Sequence, residues 1–69
     1  MPLTMADFGA IHVVKKICAN PEIRRFLESL GFVEGEVVTV ISQLGGNMIV
    51  NVKGSRVAIN RGIASKILV

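Results

Sequence analysis

The clearest periodic pattern in the chain lies between Asn20 and Phe32 and predicts an amphipathic helix. Its apolar positions recur at the spacing of one helix face: Ile23, Phe26, Leu27 and Leu30. Asn20 is a favourable N-cap, and Pro21 suits the first helical position, where its missing N–H leaves no hydrogen bond unmade. Gly31 can adopt the left-handed conformation that ends a helix, so that Phe32 folds back onto Leu27. The sequence therefore predicts a short helix with a defined beginning and end.

Runs rich in apolar and β-branched residues on either side of this helix predict short strands. The runs are Ala10–Cys18, Val37–Leu44, Asn47–Lys53, Arg56–Asn60 and Ile67–Val69. Gly45 to Asn47 has the composition of a tight hairpin loop between the second and third runs. The first run alternates imperfectly, because Val14 falls on the opposite parity to Val13 and Ile17. A bulge, or a strand covered on both faces, would explain this irregularity.

These elements predict a small α+β fold that is mostly β. Five short strands can each bury a face only if the sheet curls on itself, so we expect a closed barrel. The capped helix would close one open end of the barrel, and Arg61–Lys66 would form a short helical turn before the last strand. With 69 residues the chain has room for one core, which predicts a single domain over residues 1–69.

Composition and charge narrow the class of protein without naming a partner. The chain is 51% hydrophobic with a mean hydropathy of +0.58, which excludes disorder. Its net charge of +3 is spread over scattered Lys and Arg residues, which favours acidic partners only mildly. One cysteine, no leader-like start and no apolar run of about 20 residues predict a soluble protein of the cytoplasm without a membrane span.

The sequence offers few candidate residues for metal binding or catalysis. His12 and Cys18 are the soft ligands, and on one extended strand they would lie about 20 Å apart, too far to share an ion within a chain. A site that joins two chains through His12 stays open, and Cys18 is expected to be a small buried apolar residue. No two carboxylates are placed to face each other across a cleft, and no Ser, His and Asp residues occur in an order that suggests a nucleophile with its base. We therefore predict that the protein is not an enzyme and has no cofactor.

Two surfaces are candidates for binding a protein partner. The exposed side of the helix and one residue beyond it give the predicted partner-binding set: Arg24, Arg25, Glu28 and Arg61. An ordinary solvated helix face is the alternative. The strand that begins at Val37 has apolar residues on both faces (Val37, Val38, Val40 and Ile41), for which core packing is the favoured interpretation and contact with another protein the alternative.

A nucleic-acid-binding barrel is the competing class of function, because small basic barrels often bind RNA or DNA. The chain has three aromatic residues: Phe8, Phe26 and Phe32. Two of them are assigned to helix packing, which leaves no platform on which bases could stack. We therefore expect a protein partner and no nucleic acid.

Two motifs resemble the ferrous iron transport protein A family, whose fold is an SH3-like barrel. They are Arg-Arg-x-Leu-x-x-Leu-Gly-Phe-x-x-Gly from Arg24 to Gly35 and Val-Ala-Ile-Asn-Arg-x-x-Ala-x-x-Ile-x-Val from Val57 to Val69. The chain departs from the family pattern at Glu34, where the family usually has Pro, at Ile63, where a polar residue is more common, and in a short loop over residues 43–47.

The resemblance implies a small cytoplasmic accessory protein that docks on, and modulates, the cytosolic GTP-binding part of a membrane ferrous iron transporter. The same barrel resembles a C-terminal domain of iron-dependent transcription repressors. A nucleic-acid-binding or transcription-regulator-associated module is therefore the alternative function. Weak self-association is left open.

Overall fold

The computed structural model describes all 69 residues, which form six strands and two α-helices. In chain order these are β1 (Ile11–Val13), β2 (Lys16–Ile17), α1 (Pro21–Leu30), β3 (Val37–Leu44), β4 (Asn47–Val52), β5 (Ser55–Asn60), α2 (Arg61–Ala64) and β6 (Ile67–Leu68). A 3₁₀ turn at Leu3–Met5 precedes them and was not predicted. Its Leu3 side chain is fully buried and fills part of the core.

The strands form two antiparallel sheets that share one hydrophobic core. One sheet has the order β1-β3-β4-β5, and β2 pairs with β6 in the other. The predicted hairpin is confirmed, because Leu44 lies opposite Asn47 across a two-residue loop in which Gly45 takes a φ of 60°. Alternate side chains of β4 point into the core: Met48, Val50 and Val52.

The predicted first strand is wrong in extent, because residues 10–18 divide into β1 and β2, which belong to different sheets. Val14 N–H donates to Glu36 O (2.9 Å) and Val14 O accepts from Gly35 N–H (2.8 Å). The next amide, Lys15 N–H, donates to Leu68 O (2.8 Å) in the other sheet. The chain therefore crosses between sheets at Val14–Lys15, which explains the irregular parity and raises the strand count from five to six.

Helix α1 has the predicted bounds and both predicted caps. The Asn20 side chain accepts a hydrogen bond from Ile23 N–H at 2.8 Å. At the other end Gly31 takes a φ of 109°, and Phe32 N–H donates to Leu27 O at 3.0 Å. This bond, together with the one from Gly31 N–H to Glu28 O, is the Schellman ending.

The apolar stripe of α1 packs on the core only in part. Leu27 is fully buried, and Ile23 and Leu30 pack partly buried against the core. Phe26 is 48% exposed, so its assignment to helix packing is wrong. Phe26 lies about 100° around the helix from Leu27, and a short helix that rests on the barrel along one line leaves that side in solvent. The helix is thus anchored by Leu27.

The C-terminal part completes the core as predicted. The Asn60 side chain caps α2 by accepting from Ile63 N–H at 2.8 Å, and Ala64 is fully buried beneath it. Ile67 and Val69 bury their side chains, and Val69 N–H donates to Met1 O at 2.8 Å. Neither helix has the length and apolar character needed to traverse a lipid bilayer.

A candidate partner-binding cleft between the helix and the short sheet

A shallow cleft of about 240 Å³ lies where α1, β2 and the turn after α1 meet. Its lining is mostly charged: Lys16, Ile17, Arg24, Glu28 and Glu34. Each element contributes at least one of these side chains. We refer to this site as the charged cleft.

The helix cap sets the position of the first wall of the charged cleft. Asn20 fixes where α1 begins, and Arg24 N–H donates to Asn20 O at 2.9 Å in the first turn. The Arg24 guanidinium reaches back across the cleft, where its Nη2 donates to Ile17 O on β2 at 3.3 Å. Glu28 follows four residues after Arg24, which places both side chains on the same side of the helix.

The opposite rim of the charged cleft depends on the helix ending. After Gly31 the chain reverses, and Glu36 N–H donates to Val33 O at 3.0 Å to close the turn. Gly35, at a φ of 87°, donates its N–H to Val14 O, which ties the turn to the crossing between β1 and β2. This turn carries Glu34, which lines the cleft together with Lys16.

The four charged side chains of the cleft have no oppositely charged partner within 4.0 Å, since the ion pair of this molecule lies elsewhere, between Lys53 Nζ and Glu36 Oε1 (3.8 Å). None of the four is held in a close ion pair with another, although charges that share one cleft still interact beyond 4.0 Å. A concave surface with two free cations and two free carboxylates can complement a partner segment that carries both signs of charge.

The structure brings together two of the four residues predicted for partner binding. Arg24 and Glu28 line the charged cleft. Arg25 is exposed on α1 but outside the lining, and its Nε donates to Pro21 O at 3.4 Å. Arg61 is exposed at the start of α2, where its N–H donates to Gly46 O beside the hairpin. The predicted set is thus distributed over more than one surface.

Sequence reasoning missed Lys16 and Glu34 as members of this site. Lys16 falls within the first predicted strand, and Glu34 was noted only as a departure from the family pattern. The signal available in the sequence was the helix ending at Gly31, because a chain that reverses there must pass back along the helix. That signal does not say which turn residue points into the cleft.

The candidate metal ligands do not converge. His12 lies half-buried on β1, and its Nε2 is enclosed without a hydrogen-bond partner. Cys18 follows β2 and is exposed, so the expectation of a buried apolar cysteine is wrong. The physical reason is the crossing at Val14–Lys15, which moves Cys18 to the rim of the small sheet, where its N–H donates to Lys66 O. No three side chains of the His, Cys, Asp and Glu types gather at one place.

Comparison with known proteins identifies the family. The model of the FeoA domain matches residues 1–69, and the chain belongs to this family. It is 41% identical over 68 residues to "Putative Fe(2+) transport protein A" of Methanocaldococcus jannaschii, which covers 99% of this chain and 83% of that protein. The resemblance to the ferrous iron transport protein A family is confirmed, and the chain is a member of a family of ferrous iron transport accessory proteins.

Two solved structures of FeoA proteins share the fold. The solution structure of Chlorobium tepidum FeoA superposes with a TM-score of 0.88 at 31% identity, over 99% of this chain and 67% of that one. The crystal structure of Stenotrophomonas maltophilia FeoA complexed with zinc, described as a prokaryotic SH3 domain protein, has a TM-score of 0.86 at 30% identity, over 99% of this chain and 87% of that one. The SH3-like fold that the family resemblance implies is thus confirmed.

Proposed function

We propose that this protein is a cytoplasmic accessory of ferrous iron transport that docks on, and modulates, the cytosolic GTP-binding part of the membrane transporter. The observation that carries this proposal is the match of the FeoA domain over the whole chain. The S. maltophilia relative is itself described as a candidate activating factor of bacterial ferrous iron transport. A binding role agrees with a surface that offers unpaired charges and no catalytic set.

The charged cleft is the docking surface in this proposal. Lys16, Arg24, Glu28 and Glu34 present both signs of charge around one concavity. Charges arranged in this way speed encounter and select a partner by complementarity, more than they add affinity. The four groups are solvent-exposed, so their contribution should weaken as salt is added. Arg25 and Arg61, which lie outside the cleft, would affect only the approach of the partner.

The experiment is a titration of the transporter's cytosolic domain with this protein, with and without guanine nucleotide. We expect binding in at least one nucleotide state. Arg24→Glu and Lys16→Glu should each weaken binding by about tenfold or more, because a reversed charge meets the wrong partner group. Arg25→Glu is the matched control: it makes the same change in net charge one residue away from Arg24, outside the cleft.

The outcomes separate the function from the surface. An absence of binding in both nucleotide states would contradict the docking function. Equal effects of Arg24→Glu and Arg25→Glu would keep the function but reject the cleft as the contact surface. Tight binding to nucleic acid at physiological salt would favour the alternative class, for which the exposed Phe8 and Phe26 could offer stacking faces.

A further inference from the structure

The charges of the charged cleft follow an order along its length. Arg24 Nη2 donates to Ile17 O at 3.3 Å, which holds the guanidinium at the β2 end of the cleft. Gly35 N–H donates to Val14 O at 2.8 Å, so the backbone at Glu34 lies beside a point three residues earlier in the chain. Three residues of extended chain span up to about 10 Å. The cation of Arg24 and the carboxylate of Glu34 therefore belong to opposite ends of the cleft.

Helix α1 orders its two cleft charges in the same direction. Arg24 is the fourth residue of α1, and Glu28 is the third from its end. At a rise of 1.5 Å per residue they lie about 6 Å apart along the helix axis, with Glu28 on the side of the turn that follows the helix. Lys16 precedes Ile17 on β2 and lies between the two ends. The cleft thus has a cationic end at Arg24 and an anionic end at Glu28 and Glu34.

This order runs against the preference of the helix. The N-terminus of a helix is the positive end of its dipole and favours carboxylates, whereas the C-terminus favours cations. Arg24 placed four residues before Glu28 is the less favourable order of such a pair, and the last turn of α1 has no basic residue. Glu22, in the first turn and outside the cleft, follows the favourable rule. A local rule that is broken on one surface is typical of a functional surface.

We propose that the charged cleft selects its partner by the direction of the partner's charges. An acidic side chain of the partner lies against Arg24, and a basic side chain about 10 Å away lies against Glu28 and Glu34. This assignment rests on the proposed docking function and names the chemistry of the partner, a surface segment of the transporter's cytosolic domain with an acid and a base in this order. A segment in the reverse direction would bring like charges together and be rejected.

A second copy of this chain is the less suitable occupant. Each copy carries a net charge of +3, so two copies repel each other at long range. The cleft is also concave, and two concave surfaces placed face to face leave their charges apart, whereas interfaces pack closely at their centres. A convex segment of the transporter can reach both ends of the cleft.

The experiment exchanges the two helix charges in one double variant, Arg24→Glu with Glu28→Arg. The exchange keeps the composition and the net charge, and it reverses the direction of the charges on the helix wall of the cleft. Calorimetric titration of the transporter's cytosolic domain, with and without guanine nucleotide, should show binding weakened by about tenfold or more. The melting temperature should stay equal or rise by about 2 °C, because the exchange gives the favourable order along the helix.

The matched control is a second exchange on the same helix, Glu22→Arg with Arg25→Glu. Both residues are exposed and lie outside the lining of the cleft, and the net charge again stays the same. Binding should stay within about twofold of the unmodified protein. The melting temperature should fall by about 2 °C, because the first turn loses its carboxylate. The two exchanges therefore change stability and binding in opposite directions, which separates recognition from folding.

The outcomes distinguish this assignment from the docking function on which it rests. Absence of binding by the unmodified protein in both nucleotide states would contradict both. Equal binding by the unmodified protein and the Arg24 and Glu28 exchange would keep the docking function and overturn the selection by direction. A melting temperature several degrees below that of the unmodified protein in this exchange would overturn the premise that its charges oppose the helix. Self-association that competes with the transporter would assign the cleft to a second copy.

Discussion

The charged cleft and the apolar outer edge of the four-stranded sheet are two exposed surfaces of one small molecule, and they differ in the physics by which they could bind. The cleft presents four charged side chains without an ion pair among them. The apolar edge, which is Ile11–Val13 of β1 together with Val37 of β3, presents three apolar side chains and the unpaired backbone groups of a strand that pairs only with β3, with no charged residue in β1. Charge acts over a distance and is screened by salt, whereas strand pairing requires direct contact and register. A core of this size thus exposes two surfaces that differ in the forces through which they could bind.

The two surfaces also depend differently on the fold beneath them. The charged cleft forms only while α1 stays packed on the rest of the fold and the turn after α1 brings Glu34 back towards β2. The apolar edge belongs to the four-stranded sheet, whose inner face holds Val38 and Val40 in the core. Disturbing the helix should therefore damage the cleft first, and the following predictions test this difference from the largest effect to the smallest.

The largest effect is expected for Leu27→Ala, because Leu27 is the fully buried anchor of α1. Removing it leaves a cavity, and the free energy of unfolding should fall by about 3 kcal/mol. Urea denaturation followed by circular dichroism measures the change. Phe26→Ala, one residue earlier and about half exposed, is the control and should cost about 1 kcal/mol or less. Equal losses in the two variants would mean that Leu27 does not anchor the helix.

Gly31→Ala should come next, because Gly31 takes a φ of 109°, where a residue with a side chain is strained. A Cβ there would also approach Lys53 Cγ and Cδ at 3.3 Å. We expect a loss of about 2 kcal/mol in the free energy of unfolding. In Gly46→Ala the new methyl group meets nothing within 4 Å and no positive φ is required, so a change below about 0.5 kcal/mol is expected. Differential scanning calorimetry on both variants would refute the helix-ending role if Gly31→Ala were as stable as the parent.

A rise in salt concentration should change the binding affinities of the two surfaces in different directions. Raising the ionic strength from about 0.05 M to about 0.5 M should weaken docking through the charged cleft by roughly tenfold, which corresponds to about 1.4 kcal/mol. The same change would leave a contact through the apolar edge unaltered or strengthen it, since β1 carries no charged residue for salt to screen. Calorimetric titration of the transporter's cytosolic domain at both salt concentrations measures the affinity. An affinity that stays constant or rises would contradict docking through the charged cleft and favour the apolar edge.

The smallest effect is expected for Glu36→Gln, which removes the ion pair between the half-buried Glu36 and the exposed Lys53. The amide oxygen of Gln can still accept the hydrogen bond that Val37 N–H donates to Glu36 Oε2 at 3.2 Å. The free energy of unfolding should change by less than about 0.5 kcal/mol, as is usual for surface pairs. A thermal melt that shows a loss several times larger would mean that surface charge stabilises this fold, and the cleft charges would then need the same test.

Local signals in the sequence predicted most of the elements. Asn20, Pro21 and Gly31 fixed both ends of α1 because caps act over three or four residues, and the hairpin at Gly45 follows equally local rules. The crossing at Val14–Lys15 was missed because its hydrogen bonds go to Glu36 and Leu68, which are distant in sequence. The irregular parity at Val14 marks an interruption within residues 10–18, but these residues alone do not show that the chain changes sheets there.

The candidate site was predicted less completely than the fold. The spacing of Arg24 and Glu28 marks one side of a helix, so half of the charged cleft could be anticipated. Lys16 and Glu34 join it only through the packing of α1 against β2, which no local pattern encodes. The predictions of burial for Phe26 and Cys18 were wrong for the same reason. Both residue types are usually buried, but whether a given side chain is covered depends on where the neighbouring element packs.

The crossing at Val14–Lys15 links the register of β1 on β3 to the register of β2 on β6. Val14 is bound to the turn after α1 and Lys15 to β6, so a residue inserted or deleted here would shift β1 against β3 or β2 against β6. Because strand side chains alternate, such a shift would turn Ile11 and Val13 inward, or turn Lys16 away from Arg24. Relatives that keep both surfaces should therefore keep the length of this segment, whereas the hairpin loops can tolerate length variation.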